Sequence, residues 1–194
     1  INFIDRIPAP KILLAAMKDL KPEVVLTVPL LIEKIYKKQL QPTIESPKMK
    51  VLLKLPVIRK IILKKIHDKL MLAFGGNIRE LITGGAPMNA EVEEFMKLIK
   101  FPFTIGYGMT ECGPLISYAN WHEHRYESSG KQVDYLTIKV NSKDPERIPG
   151  EIILKGEQVF KGYYKFEEAT NEVLRDGWLY TGDIGTIDKD GFVY

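Results

Sequence analysis

The sequence predicts an α/β fold, a parallel sheet with flanking helices followed by a β-rich, barrel-like subdomain. Two observations point there. Short aliphatic, β-branched runs alternate with helical spacings between residues 24 and 107, and beyond about residue 120 alternating segments and tight turns take over. A third sets the scale: 194 residues, 45% hydrophobic and 27% charged, bury a core as one large domain or two small ones.

The elements run in order. Pro10 suits a first helical position, and residues 11–20 space Ile12, Ala15, Ala16 and Leu20 at helical intervals. Val24, Val25, Leu26, Thr27 and Val28 predict a strand buried on both faces. Pro29 opens a second helix through Leu31, Ile32, Ile35 and Tyr36 to about Gln39, and residues 41–48, with Pro42 and Pro47, read as a loop. Residues 49–73 form a basic, aliphatic helical stretch, expected to bend at Pro56 and to stop at Gly75 and Gly76. Residues 78–83 read as strand, 89–100 as helix and 103–107 as strand. Asn89 serves as N-cap, with Glu91, Glu93 and Glu94 near the positive end of the helix dipole.

Past residue 120, residues 135–140 alternate, 151–154 form a short strand, and one helix spans about 166–174 between turns at 148–150 and 175–177. The expected division is therefore 1–120 and 121–194. Both ends read as cut: the chain opens without Met on the apolar Ile1, Asn2, Phe3, Ile4 and stops at Gly191, Phe192, Val193, Tyr194 as a strand begins. An internal piece of a longer protein is expected.

Net charge is +3, unevenly spread. The first 73 residues hold fifteen Lys or Arg against six Asp or Glu, about +9, so the remainder is acidic. The basic residues lie among aliphatics without interleaved aromatics, which argues against nucleic acid as a partner. The single cysteine, Cys112, excludes an internal disulfide framework and fits a reducing compartment. No apolar run approaches the roughly 20 residues of a membrane helix, and no signal peptide opens the chain. A cytoplasmic protein is expected, with peripheral membrane contact through the basic stretch 48–70 left open. There Ile58, Ile62, Ile66 and Leu70 fall on one helical stripe while Lys60 and Lys64 point away. The pattern describes a core-packed helix with a solvated face, favoured here, or a helix lying on anionic lipid.

Three strings carry chemistry. Thr83, Gly84, Gly85, Ala86, Pro87 sits at the carboxyl end of a predicted strand, where open α/β sheets bind ligands, and its glycines let a ligand approach the backbone. Alone it reads as an ordinary strand-to-helix turn, and it is neither a Walker loop nor a full G-x-G-x-x-G. The second string is Thr104, Ile105, Gly106, Tyr107, Gly108, Met109, Thr110, Glu111, Cys112, Gly113, Pro114. Tyr107 between glycines can lie flat against a base, Thr110 offers a hydroxyl to a phosphate, and Glu111 a carboxylate to Mg²⁺. A glycine-rich loop with a buried Tyr explains any one of these, but not the whole string. The third holds Thr181, Gly182 and Asp183, a turn when read bare, whose carboxylate can accept from both hydroxyls of a ribose.

In this order the strings resemble the adenylate-forming superfamily of acyl-CoA synthetases, luciferases and peptide-synthetase adenylation domains. The glycine–alanine adenine loop matches residues 84–87, the Tyr-Gly-x-Thr-Glu core matches 107–111, and Thr-Gly-Asp matches 181–183. The Gly-Glu strand with its following Gly-Tyr matches Gly150, Glu151, Gly156, Gly162 and Tyr163. Thr27, Val28, Pro29 with Ile32, Glu33, Lys34, Ile35, Tyr36 resembles the Val-Pro-x-x-x-Glu-Lys segment of long-chain acyl-CoA synthetases, as does the basic helix running into residues 74–79.

The resemblance implies part of the large N-terminal domain of that fold, with ATP, Mg²⁺ and coenzyme A as cofactors or co-substrates and a fatty acid as substrate. It implies that Gly84, Gly85, Ala86, Pro87, Gly106, Tyr107, Gly108 and Met109 line the nucleotide, Tyr107 stacking on adenine. Thr110 meets the phosphates, Glu111 holds the metal, and Asp183 takes the ribose; Thr110 and Glu111 are the catalytic candidates. One departure is Ile105, where many members place an amide or carboxylate to meet the adenine amino group.

The family's phosphate loop is expected upstream of Ile1, and its hinge and adenylation lysine beyond Tyr194, so the chain alone is expected to be silent. The reaction would join a carboxylate to AMP and then pass the acyl group to coenzyme A, a task of charge neutralisation and in-line positioning. Cys112 reads as a small packing residue. His122 and His124 read as an exposed loop ahead of a metal site. Aryl or amino acid activation, and a non-catalytic nucleotide-binding homologue, stay open alternatives.

Overall fold

The computed structural model describes residues 10–194, and the apolar opening at residues 1–4 lies outside them. The chain divides into two compact units, the first ending at Phe103 and the second running Thr104–Tyr194. The boundary falls earlier than the change of texture near residue 120. Residues 107–118 form a hairpin whose second strand pairs with Lys131–Gln132, so they belong to the second unit.

In the first unit prolines set the helix starts. Helices α1 (Pro10–Leu20), α2 (Pro29–Ile35), α4 (Pro47–Leu52) and α5 (Pro56–Ala73) all begin on a proline, whose locked φ suits the first turn and whose missing N–H would be unpaired there anyway. Pro56 therefore starts a separate helix instead of bending one. The segment expected to be a loop is helical too: α2 continues through a π-helical stretch, Tyr36–Leu40, into the short α3 (Gln41–Ile44) and then α4. Helix α5 ends at Phe74, and Gly75 and Gly76 come next with φ of 98° and 79°, conformations that stop it.

Strand β1 (Val24–Thr27) pairs in parallel with β2 (Glu80–Thr83), from Val24 opposite Glu80 to Thr27 opposite Thr83. Strand β3 (Phe103–Ile105) completes the order β1-β2-β3. Between β2 and β3 lies α6 (Ala90–Leu98), capped as expected: Asn89 accepts from the Val92 N–H at 3.2 Å. The core gathers Phe74, Leu81, Val92, Met96, Ile99 and Phe101. One burial expectation changes. Among the described residues β1 lies at the edge of its sheet with Val25 buried and Val24 and Leu26 exposed, so those residues do not cover it on both faces. Helix α1 buries Met17, whereas Ile12 and Leu20 are exposed.

The second unit is mostly antiparallel. Strands β4 (Tyr107–Gly108), β5 (Leu115–Tyr118) and β6 (Lys131–Gln132) form one small sheet. Strands β7 (Leu136–Asn141), β8 (Gly150–Gly156), β9 (Leu174–Arg175) and β10 (Trp178–Gly185) form another in the order β7-β8-β10-β9, with α7 (Glu167–Val173) before β9. Strand β7 alternates buried and exposed residues, placing Leu136, Ile138 and Val140 in a core with Ile152, Leu154, Leu179 and Val193. Asp176 and Gly177, both at positive φ, make the two-residue turn between β9 and β10 that the twist of a hairpin favours. The architecture is the α/β fold expected, a parallel sheet with helices followed by a β-rich part.

Candidate functional site

In the first unit, β2 ends in the loop of residues 84–87. Gly84 donates its N–H to the Thr27 carbonyl at 3.2 Å, prolonging the parallel ladder by one bond. Gly85 then turns with φ 84° and has open space where a Cβ would stand, and Ala86 and Pro87 are exposed. Thr83 behind them is fully buried, and its hydroxyl has no hydrogen-bond partner among the described residues. The loop thus presents accessible backbone at the carboxyl end of parallel strands, the usual ligand position in such sheets. Its far side is anchored from α2: Glu33 accepts from the Asn89 N–H at 3.0 Å, and Tyr36 donates to Glu91 at 2.8 Å while its ring packs on Phe95. Glu33, read from sequence only as a family resemblance, and Tyr36, read also as a helical position, hold the start of α6.

In the second unit the remaining predicted residues come together. The hairpin β4–β5 is so tight that a Cβ on Gly108 would overlap the Pro114 carbonyl oxygen, and Met109 donates to that same oxygen at 2.9 Å. Gly108 is thus required by packing whatever else it does. Gly106 is buried, and Thr110 and Glu111 lie on the one-turn 3₁₀ helix Thr110–Cys112, Thr110 exposed and Glu111 half-buried.

Tyr107 donates its hydroxyl to Asp183 Oδ2 at 2.6 Å, across 76 positions of sequence. Burial first, and then the bond to Asp183, hold the phenol above its ordinary range, so it is a neutral donor. Asp183 reaches this place because β10 breaks register against β8 between Tyr180 and Ile184. Within that irregularity Thr181 donates to the Ile152 carbonyl at 2.8 Å and accepts from the Asp183 N–H at 3.1 Å. Glu151 Oε1 accepts from the Gly182 N–H, also at 3.1 Å. Such irregularities re-aim side chains, and this one leaves Asp183 exposed.

Glu111 is held twice. Its backbone carbonyl accepts from the Phe160 N–H at 2.8 Å, and its Oε1 accepts from the Tyr163 hydroxyl at 2.8 Å. Tyr163 is set by Thr170, which accepts its N–H at 2.9 Å, and by an edge-on contact with Phe160. Sequence reasoning assigned no role to Tyr163, Glu151 or Thr181. The signal was present, because all three stand in strings that carry the family resemblance.

Other candidates resolve differently. Cys112 is fully buried among Ile116, Leu154 and Leu179, and burial, then the nearby Glu111 charge, pushes its thiol up to about 11. That is a packing residue and a poor nucleophile. His122 is exposed and lies against Trp121, and no group of three or more His, Cys, Asp or Glu placed to hold a metal occurs among the described residues. Ile105 is half-buried and brings no polar side-chain atom.

The profile of the AMP-binding enzyme family matches residues 1–164. The chain belongs to that family. Its curated relatives in the AMP-binding family include a long chain acyl-CoA synthetase 3 of Arabidopsis thaliana, 34% identical over 212 residues, covering 93% of this chain and 31% of the relative. The long-chain-fatty-acid–CoA ligase FadD15 of Mycobacterium bovis is 29% identical over 94% of this chain and 33% of its own length. That of Salmonella typhimurium is 43% identical over a shorter 117 residues, 57% of this chain and 21% of the ligase. The chain spans about a third or less of the length of these relatives. Among solved structures, o-succinylbenzoate CoA synthetase of Bacillus subtilis matches with a TM-score of 0.70 and 23% identity, over 96% of this chain and 33% of that one. The amide bond synthetase McbA of Marinactinospora thermotolerans matches with a TM-score of 0.69 and 20% identity, over 96% and 33%. These two likenesses show that the chain shares the fold of those proteins.

Proposed function

We propose that the protein containing this chain is an ATP-dependent long-chain fatty acid–CoA ligase, and that this chain supplies the adenine, ribose and metal contacts of its nucleotide site. The observation that carries the reading is the second unit's pair of bonded acids, Asp183 under Tyr107 and Glu111 under Tyr163, each aimed by backbone bonds from a different strand or loop. The similarity to long-chain ligases points to the acyl substrate.

In this reading residues 106–109 of the second unit line the nucleotide, and the Tyr107 ring lies against its base. Asp183 spends one carboxylate oxygen on Tyr107 and offers the other to ribose hydroxyls. Thr110, exposed on its 3₁₀ turn, donates to phosphate. Glu111 has Oε2 free of the Tyr163 bond, so it can give one oxygen to Mg²⁺. A lone carboxylate does not make a resident metal cage. It does fit a Mg²⁺ that arrives with the nucleotide: Glu111 would hold the ion, which would supply neutralisation of phosphate charge. The fatty carboxylate would displace pyrophosphate from ATP to form the acyl-adenylate, and the coenzyme A thiol would then take the acyl group and release AMP.

The test is pyrophosphate release by the longer protein over carboxylates of rising chain length, with and without coenzyme A. Turnover rising with chain length is expected. Preference for aryl or amino acids would replace the acyl substrate while keeping adenylation, and ATP binding without turnover would assign a non-catalytic homologue.

A further inference from the structure

The basic stretch divides its two faces in a way the sequence did not. On α5 the aliphatic stripe of Ile58, Ile62, Ile66 and Leu70 turns inward: Leu70 is buried, the three isoleucines are half-buried, and Ile66 and Leu63 line a cavity of about 170 Å³ with Phe95 and Leu98. That face is occupied by protein. The opposite face carries a second aliphatic set. Val57 and Ile61, one turn apart, are 72% and 51% exposed, and Val51 and Leu55, just before them, are 64% and 49% exposed.

Cations surround this set. Lys60, Lys64 and Lys65 lie three or four positions from Val57 or Ile61, on or beside the same outward face, and all three are exposed. With Lys48, Lys50, Lys54 and Arg59 they make seven cations and no anion between residues 47 and 67. The first acid beyond is Asp68, already paired with Lys64 at 2.9 Å.

We propose that the corner formed by α4 and the first half of α5 is a peripheral docking surface for an anionic lipid bilayer. The proposal stands independently of the ligase reading. Exposed aliphatics ringed by unbalanced lysines offer the two signals that reversible membrane binding needs: side chains that enter the headgroup boundary, and charge that meets anionic lipid. Lysine stems can lie along the same apolar surface while their heads reach phosphate. Nucleic acid is a poorer occupant, because the corner has no aromatic for a base to stack on. Spanning is not implied, since no helix among the described residues is long and apolar enough to cross a membrane.

The test is co-sedimentation of the longer protein that contains this chain with vesicles of phosphatidylcholine alone or mixed with phosphatidylglycerol. Binding to the mixed vesicles at low salt is expected, with loss at about 1 M salt, where the Debye length falls to about 3 Å. Replacing all three of Lys60, Lys64 and Lys65 with Gln should weaken partitioning roughly 100-fold, about fivefold for each charge. The pair Val57→Ser and Ile61→Ser should weaken it about tenfold. These side chains are exposed, and unchanged circular dichroism of each variant confirms that the fold is kept. Ile61→Trp should shift its emission to the blue on mixed vesicles. Equal binding to neutral vesicles, no binding, an unshifted tryptophan, or variants that bind like the parent chain would overturn the proposal. So would dimerisation through Val57 and Ile61 without lipid, which would assign the face to a second copy.

Discussion

At the scale of single residues, Tyr107 shows how a motif position serves structure and chemistry together. Its hydroxyl is 2.6 Å from Asp183 Oδ2, and its ring packs against the second unit's core. Tyr107→Phe keeps the ring and deletes the donor, so it should lower stability by about 1 kcal/mol in urea unfolding. Asp183→Asn keeps an acceptor oxygen and should cost less. An unchanged midpoint for Tyr107→Phe would show that the bond does not persist in solution. The candidate residues were legible in sequence because their side-chain chemistry is local: a phenol between glycines, a hydroxyl beside a carboxylate. Their partners were not. Tyr163 meets Glu111 across 52 positions, and no periodicity or spacing announces a bond of that reach.

At the scale of elements, the anchoring of α6 by α2 gives the sharpest test. Glu33 accepts the Asn89 N–H, and Asn89 in turn caps α6. Glu33→Ala leaves that backbone donor without its partner and should cost about 1–2 kcal/mol, whereas Glu33→Gln retains an acceptor and should cost less. Equal losses in chemical denaturation would remove the capping role.

The second unit has a similar clamp in the turn before its last residues. Asp188 accepts from the Asp190 and Phe192 N–H groups and from Arg125, whose guanidinium also lies 3.9 Å above the Phe192 ring. Burial pushes the Asp188 carboxyl up, but the two backbone donors and Arg125 outweigh it and hold the group below its ordinary value. A depressed folded-state value means stability present above the ordinary carboxylate range and lost as pH falls through the lower folded value. Acid titration of unfolding should therefore show less loss below about pH 4 in Asp188→Asn than in the parent chain. Equal acid sensitivity would count against the clamp. The starts of α1 and α2 were readable because a proline acts on its own φ. Helix within residues 41–48 was missed because two prolines there look like loop punctuation, when each lies in the first turn of a helix.

At the scale of the whole molecule, this chain is about a third of the length of the ligases it resembles, and the activity proposed needs more than it holds. The chain alone should release no pyrophosphate from ATP with a fatty acid and coenzyme A, while the longer protein should. Acyl-dependent release by the 194 residues alone would overturn that partition of the site.

The sequence by itself determined the alternation of strands and helices, the helix starts at Pro10 and Pro29, the glycine-rich strings and hence the family, because each depends on residues close together in the chain. Tertiary structure decided which faces those elements bury. It exposed one side of β1, turned the α5 stripe inward and left Val57 and Ile61 outside, because burial depends on which neighbours arrive from distant sequence. It also decided that Asp183 stands under Tyr107 and Glu111 under Tyr163, through a shift of strand register and bonds between segments that only folding brings together.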